Sequence, residues 1–304
     1  MTLKELPTNP EFIHRYDRGS RFEKEGRHLH ALQIYRQLME DFPEEDFAVA
    51  ALANLYEKME KPELGIELLS EHLESKTDNH RLRLFAGHYF FRQNSWENTI
   101  DYLSAFSPEE DPLIAFYVGY SNYKLGKYEL AKQYFLLFIR LNRENDFLLN
   151  AYIYLAKSYI YLDEYELALL YVKKAEEYFA GYYELFFLYA RIYFYMGMYY
   201  TSLEAVEKAI KINATDPIVY EWGGKIAFHC GEIKKSLKYF QEYLNVGGEM
   251  NADFCSDFGM ALLKNKNINA AKEHFELALQ VEPEHEKAKH GLHLINTDYV
   301  VYER

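Results

Sequence analysis

Apolar residues along this chain recur at helical spacing and never in long runs of period two. Leu130, Tyr134, Leu137, Phe138 and Leu141 share one helical face, and similar faces follow one another from near the N-terminus almost to the end. The pattern predicts an all-α chain. The faces come in pairs, each pair divided by a Gly or another turn residue. The stretch Gly119–Ile139 shows the unit: a small residue, an aromatic cluster, a turn at Gly126, then Ala131 and Phe135 on the next helix.

Aligned on these markers, the chain divides into eight units, 34 residues long wherever no insertion intervenes. They run 12–45, 46–79, 80–111, 112–145, 149–182, 183–216, 217–250 and 252–285. The third is two residues short, and three extra residues (Asp146–Leu148) precede the fifth. Small residues (Gly19, Ala53, Gly87, Ala156, Ala190, Gly224 and Gly259, with Ala31, Gly65, Thr99, Ala168, Ser202, Ser236 and Ala271 on the second helices) mark two places where paired helices cross closely. A larger side chain there would push them apart. Pro62 suits a first helical turn, and Asp163 with Glu166 has the spacing of a capping box. Residues 1–11 read as a loose arm. Residues 286–304 read as a capping helix with a tail, the helix over 286–296 presenting Ala288, Leu292 and Ile295 on one face; whether Tyr299 to Tyr302 fray or dock back stays open.

These residues resemble the tetratricopeptide repeat (TPR) family, a helix–turn–helix of about 34 residues with small and aromatic residues at fixed places. The resemblance covers about nine-tenths of the chain. Its departures are local: Asn122, Ala227 and Leu262 stand where an aromatic is usual, and only the first and eighth units have the late Pro (Pro43, Pro283). It implies a right-handed superhelical solenoid of antiparallel helix pairs with a C-terminal capping helix, whose first helices line a concave groove.

On the family's groove positions, the fifth to seventh units carry Lys157, Arg191 and Lys225, with Tyr161, Tyr195 and His229 nearby. The fourth unit offers Tyr120, Tyr123 and Lys124, the third Arg81, His88 and Arg92, and the eighth Lys264. One reading is a basic, aromatic track for a partner peptide bearing carboxylates. The plainer reading is a solvated face whose Lys and Arg stems cover apolar floor. Glu23, Glu57, Glu184, Glu221 and Asp253 fall on the same lining and weigh against a purely basic track. The clamp by which some TPR proteins hold a chaperone's C-terminal carboxylate is not expected: Asn54 is placed for it, but Ala50 and Phe85 stand where its Lys and second Asn belong.

Composition narrows the function further. With 34 Lys and Arg against 47 Asp and Glu, the net charge of −13 repels a phosphate backbone, so no nucleic-acid partner is expected. The start, from Met1, has no basic segment followed by an apolar run, and no secretory signal is expected. Leu185–Tyr200, the most apolar stretch, is short for a bilayer span and contains Arg191, so no membrane insertion is expected. Cys230 and Cys255 suit a reducing compartment; the unit alignment sets them too far apart for a disulfide, and both read as buried packing residues. The tyrosine-rich run around residue 190 reads as core at Tyr189 and Tyr193, with Tyr182, Tyr199 and Tyr200 left open as a partner patch. Glu286, His290 and His293 have metal-compatible spacing, but a charged stripe on a capping helix explains them, and no metal or cofactor is expected. No nucleotide-binding, zinc-protease or serine-hydrolase motif occurs. The expectation is a non-catalytic, cytoplasmic scaffold or adaptor for another protein, with weak self-association or a ligand-responsive regulator as alternatives.

Overall fold

In the computed structural model, residues 7, 9–75, 79–141, 147–213 and 215–298 are described, and their helical faces become antiparallel helix pairs. No strand occurs among the described residues. The chain divides into two compact units, Met1–Glu144 and Asn145–Arg304. The first holds α1 (Pro10–Lys24) with α2 (His28–Asp41), α3 (Phe47–Lys58) with α4 (Pro62–Ser75), α5 (His80–Arg92) with α6 (Trp96–Leu103), and α7 (Leu113–Lys124) with α8 (Tyr128–Leu141). The second holds α9 (Leu148–Tyr161) with α10 (Tyr165–Tyr178), α11 (Tyr183–Tyr195) with α12 (Tyr199–Ile212), α13 (Pro217–His229) with α14 (Ile233–Asn245), and α15 (Ala252–Lys264) with α16 (Ile268–Val281). A final helix, α17 (Glu286–Asp298), packs on α15 and α16.

The turn inside each pair is built the same way. Gly26, Glu60, Asn94, Gly126, Asp163, Gly197, Gly231 and Lys266 all have φ between 57° and 79°. The next residue's N–H then returns to the carbonyl five residues back, as from Lys61 to Tyr56, Lys127 to Asn122, Glu164 to Tyr159 and Asn267 to Leu262, each at 2.9 Å. This is the Schellman closure, which satisfies the last carbonyls of the first helix. Asp163 therefore does not cap α10 as the capping-box spacing suggested. It occupies the left-handed position (φ 59°), and the N-cap residue of α10 is Glu164, which makes no side-chain capping bond. A left-handed conformation costs an L-residue roughly 1–2 kcal/mol, partly offset by the unfolded-state freedom that glycine adds. Lys266→Gly is accordingly expected to raise stability by roughly 0.5 kcal/mol, read as a higher urea midpoint.

Packing within the pairs follows a size exchange across sixteen residues. Gly19, Gly87, Gly119, Gly224 and Gly259 on first helices face Tyr35, Leu103, Phe135, Phe240 and Phe275 on second helices. A Cβ at Gly224 would lie 2.5 Å from the Phe240 ring, and one at Gly259 would lie 2.7 Å from the ring of Phe275. Where the first helix has Ala156 or Ala190 instead, the residue sixteen further on is Val172 or Val206, all four fully buried. A small residue on the first helix makes room for a larger one on the second. The hydroxyls of Ser202 and Ser236 donate to the carbonyls of Ala190 and Gly224 at 2.6 and 2.8 Å, so the second small position pins the crossing by a hydrogen bond.

Three expectations change at the edges. The helical part of the chain starts at Pro10, not after residue 11, because the Asn9 side chain caps the N–H groups of Glu11 and Phe12 and Pro10 fits the first turn. Residues 1–6 and 8 of the expected arm, Asp146 of the insertion and the tail from Tyr299 lie outside the described residues, while Leu148 opens α9 and is buried. Cys255 is buried as expected, but Cys230, the C-cap of α13, is only half-buried, because it sits at a turn.

Candidate functional site

On the first helices, groove positions that look alike in sequence acquire different surroundings. Arg92 on α5 donates to Glu57 of α3 at 2.9 Å and to Asn54 at 2.9 Å, and the Arg92 bond holds the Glu57 carboxyl below its usual range. Lys58 on α3 likewise reaches Glu23 on α1 at 2.6 Å. Arg81 lies 5.2 Å over the Phe47 ring, beside a small cavity of about 130 Å³ lined also by Asn54 and Phe85. Lys124 is exposed and stands 5.9 Å from the rings of both Trp96 and Tyr120, while Tyr123 packs on Tyr128. Tyr120 also meets Phe91 and Trp96, so Trp96 on α6, which the groove positions did not include, belongs to this aromatic group.

His88 packs edge-on against Tyr117, with Nε2 buried and unpartnered among the described residues. Burial pushes its pKa down, so the neutral ring is favoured in the fold. A histidine whose folded pKa lies below its unfolded value stabilises at neutral pH and loses that contribution as pH falls below about 6.5. His88→Phe is therefore expected to flatten the decline in urea midpoint between about pH 7 and pH 5. The decline should persist in part, because burial and the Lys287 charge shift His229 the same way.

In the second unit, α11, α13, α15 and α17, with Phe240 of α14, line an open cavity of about 490 Å³. Phe194, Tyr195, Trp222 and Phe228 wall it, Met260 and His229 join them, and Lys225, Lys287, Asp253, Asp257 and His290 supply charge and polarity. Three of the expected residues thus meet here: Tyr195, Lys225 and His229. Tyr195 is 43% exposed and stacks on Tyr165 at 5.6 Å with an 8° interplanar angle. His229 stacks on Tyr199 and meets Phe194 edge-on, each at 5.0 Å, which explains why Tyr199 is half-buried where Tyr182 and Tyr200 are exposed.

The cations here are not a bare basic track. Lys225 Nζ lies 2.6 Å from Glu221 and 3.3 Å from Asp257, and Lys287 Nζ lies 2.5 Å from the other oxygen of Asp257. Burial alone would depress the Lys225 pKa, yet Asp257 and Glu221 outweigh it and raise it. Just before α17, His285 accepts the Ala288 N–H at Nδ1 (3.3 Å) and faces Asp253 at Nε2 (3.1 Å), which holds the Asp253 carboxyl low. The lining at these positions is mixed in charge, since Glu221 on α13 itself and Asp253 and Asp257 on α15 meet the cations.

The remaining expected residues lie apart from the cavity wall. Lys157 sits 4.9 Å from the Tyr154 ring, Tyr161 is 50% exposed, and Lys264 is exposed at the end of α15. Arg191 lies beside the cavity, 5.1 Å over Trp222. Tyr189 is core as expected, its hydroxyl donating to Glu176 at 2.7 Å; Tyr193 stacks on it but is only half-buried. Among the described residues no group of three His, Cys, Asp or Glu could hold a metal ion, and no helix is long and apolar enough to cross a membrane.

The model of the tetratricopeptide repeat family matches residues 118–145, 183–216 and 252–285. The chain carries tetratricopeptide repeats. Among solved structures, a chain of the APC/C hetero-tetramer Cut9–Hcn1 is similar over 87% of this chain at TM-score 0.61 and 14% identity. This chain spans about half of that one, 52% of its length. A tetratricopeptide repeat protein from Parabacteroides merdae is similar over 94% of this chain and 99% of its own, at TM-score 0.51 and 16% identity. MamA from Desulfovibrio magneticus RS-1 covers 56% of this chain with 95% of its own, at 0.50 and 19%. At such identities these likenesses concern the fold alone. No curated protein matches the sequence. Tetratricopeptide repeats are generally protein-interaction scaffolds without catalytic chemistry.

Proposed function

We propose that this protein is a non-catalytic adaptor that holds a segment of a partner protein, bearing aromatic and acidic side chains, in the cavity between α11, α13, α15 and α17. The observation that carries the reading is the cavity itself: four large aromatic residues and His229 line about 490 Å³ on the first helices. Aromatic walls with a few placed polar groups are what a peptide anchor needs, since ring burial supplies affinity and the charges set register. Lys287, half-exposed although it meets Asp257, offers one such charge at the rim. The two free thiols fit a reducing, cytoplasmic setting.

Self-association is the second reading. Leu167, Leu170 and Tyr178 on α10, 40%, 43% and 65% exposed, fall on one face by helical spacing. A photocrosslinking amino acid placed at Tyr195 or at Tyr178 separates the two. The first reading expects an adduct with another protein from Tyr195 and none from Tyr178. A dimer adduct from Tyr178, with nothing from Tyr195, would move the contact to α10.

A further inference from the structure

Several cations on the first helices and on α17 meet a carboxylate of a neighbouring first helix. Lys58 meets Glu23, Arg92 meets Glu57, and Lys225 and Lys287 share Asp257. Arg191 on α11 has no such partner among the described residues. Arg191 and Lys225 are each the ninth residue of their helix, so repeat geometry gives them the same place. Asp257 is the sixth residue of α15, where Lys225 finds it; the sixth residue of α13 is Trp222, and that is what Arg191 finds. An indole stands where the equivalent cation has its carboxylate.

The consequence is a charge partly withdrawn from water with no carboxylate against it among the described residues. The guanidinium carbon lies 5.1 Å from the Trp222 ring centroid, and the Nε–H is buried without an acceptor among the described residues. Lys124 and Lys264, at the ends of α7 and α15, stand exposed, where water serves them. An orphaned donor on a half-buried cation is costly until an anion reaches it. A guanidinium matches a carboxylate through paired N–H donors, and its contact with an indole fixes the fork before the ligand arrives, reducing the entropy lost on binding. Trp222 is shared: it carries Arg191 and also walls the cavity, 5.8 Å from Tyr195 and 5.6 Å from Phe194. A carboxylate bound at Arg191 therefore belongs to a molecule whose neighbouring group enters the aromatic cavity.

We propose that Arg191, supported by Trp222, takes an acidic side chain of the partner segment, next to a residue whose ring enters the cavity. Lys225 does not, since Glu221 and Asp257 already neutralise it. The proposal rests on the peptide-binding reading and specifies its recognition chemistry.

The chain has two tryptophans, so Trp96→Phe leaves Trp222 as the sole indole signal. Acetyl-Phe-Glu-Tyr-amide and its Gln counterpart are titrated while the indole N–H resonance of Trp222 is followed. The Glu peptide is expected to bind at least about tenfold more tightly, and Arg191→Gln to erase that preference with helicity unchanged. Arg191→Lys, which keeps the charge without the fork, should lose most of it. Equal binding of both peptides would overturn the carboxylate proposal and leave the cavity reading standing. A Gln peptide with a free C-terminus that binds while the Glu amide does not would assign the site to a chain end, also overturning it. No perturbation by any peptide at millimolar concentration would count against the proposal and the cavity reading together.

Discussion

Phe275→Ala is expected to lower stability by about 3–5 kcal/mol, among the largest effects of any single substitution in this protein. Phe275 is fully buried on α16. Gly259 on α15 faces its ring from one helix and Gly291 on α17 from another, so near that Cβ atoms there would lie 2.7 Å and 2.3 Å from ring carbons. One ring therefore fills the space that two glycines leave and joins the last pair to the capping helix. Alanine would open a cavity that neither glycine can fill, and α15 and α17 cannot both close on it without moving. In a repeat array each element depends on its neighbours, so the loss should appear locally first. Urea unfolding measures the total, and amide exchange is expected to show α17 losing protection ahead of α13. A cost below about 1 kcal/mol, with α17 still protected, would mean that the ring is not the joint described here.

Lys225→Met is the second large effect, expected to cost about 3 kcal/mol, the lower end for breaking a buried ion pair because the ammonium keeps some contact with water. The Glu221 side chain is 9% exposed and that of Asp257 12%. Asp257 retains Lys287 after the substitution. Glu221 accepts from no other group among the described residues and is left as a buried, unpaired carboxylate. Removing that carboxylate as well, in Lys225→Met/Glu221→Leu, should recover at least half of the loss, since replacing a whole buried pair with apolar residues is often close to neutral. A four-protein cycle of urea midpoints measures both. Should Lys225→Met alone stay within about 0.5 kcal/mol of wild type, Lys225 would be a solvated cation free for a partner, as its repeat position suggests.

The helix pairs were legible in the sequence because the contacts that define them are local. Gly224 and Phe240, or Ala190 and Val206, lie sixteen residues apart, a small residue answered by a larger one. The turns were legible where Gly26, Gly126, Gly197 and Gly231 mark them. Glu60, Asn94, Asp163 and Lys266 hold the same left-handed conformation without advertising it, and so Asp163 read as a cap. The site was legible only as a set of positions. Lys225 and Arg191 are equivalent in the repeat, and what separates them is the residue facing each from the next helix, Asp257 or Trp222. That difference lies about one unit away, in a column the groove positions did not include. Opposite charges roughly one repeat apart, such as Glu23 with Lys58 and Glu57 with Arg92, were the available signal. Trp96, Trp222, Asp257 and Lys287 escaped for the same reason.

The central claim is that a partner segment occupies the cavity of the second unit. Hydrogen–deuterium exchange of the protein alone and bound to a partner captured through it tests this most directly. The account predicts new protection concentrated in α11, α13, α15 and α17, within 183–195, 217–229, 252–264 and 286–298. Protection confined to the second helices α10, α12, α14 and α16, or to the first unit, would contradict it.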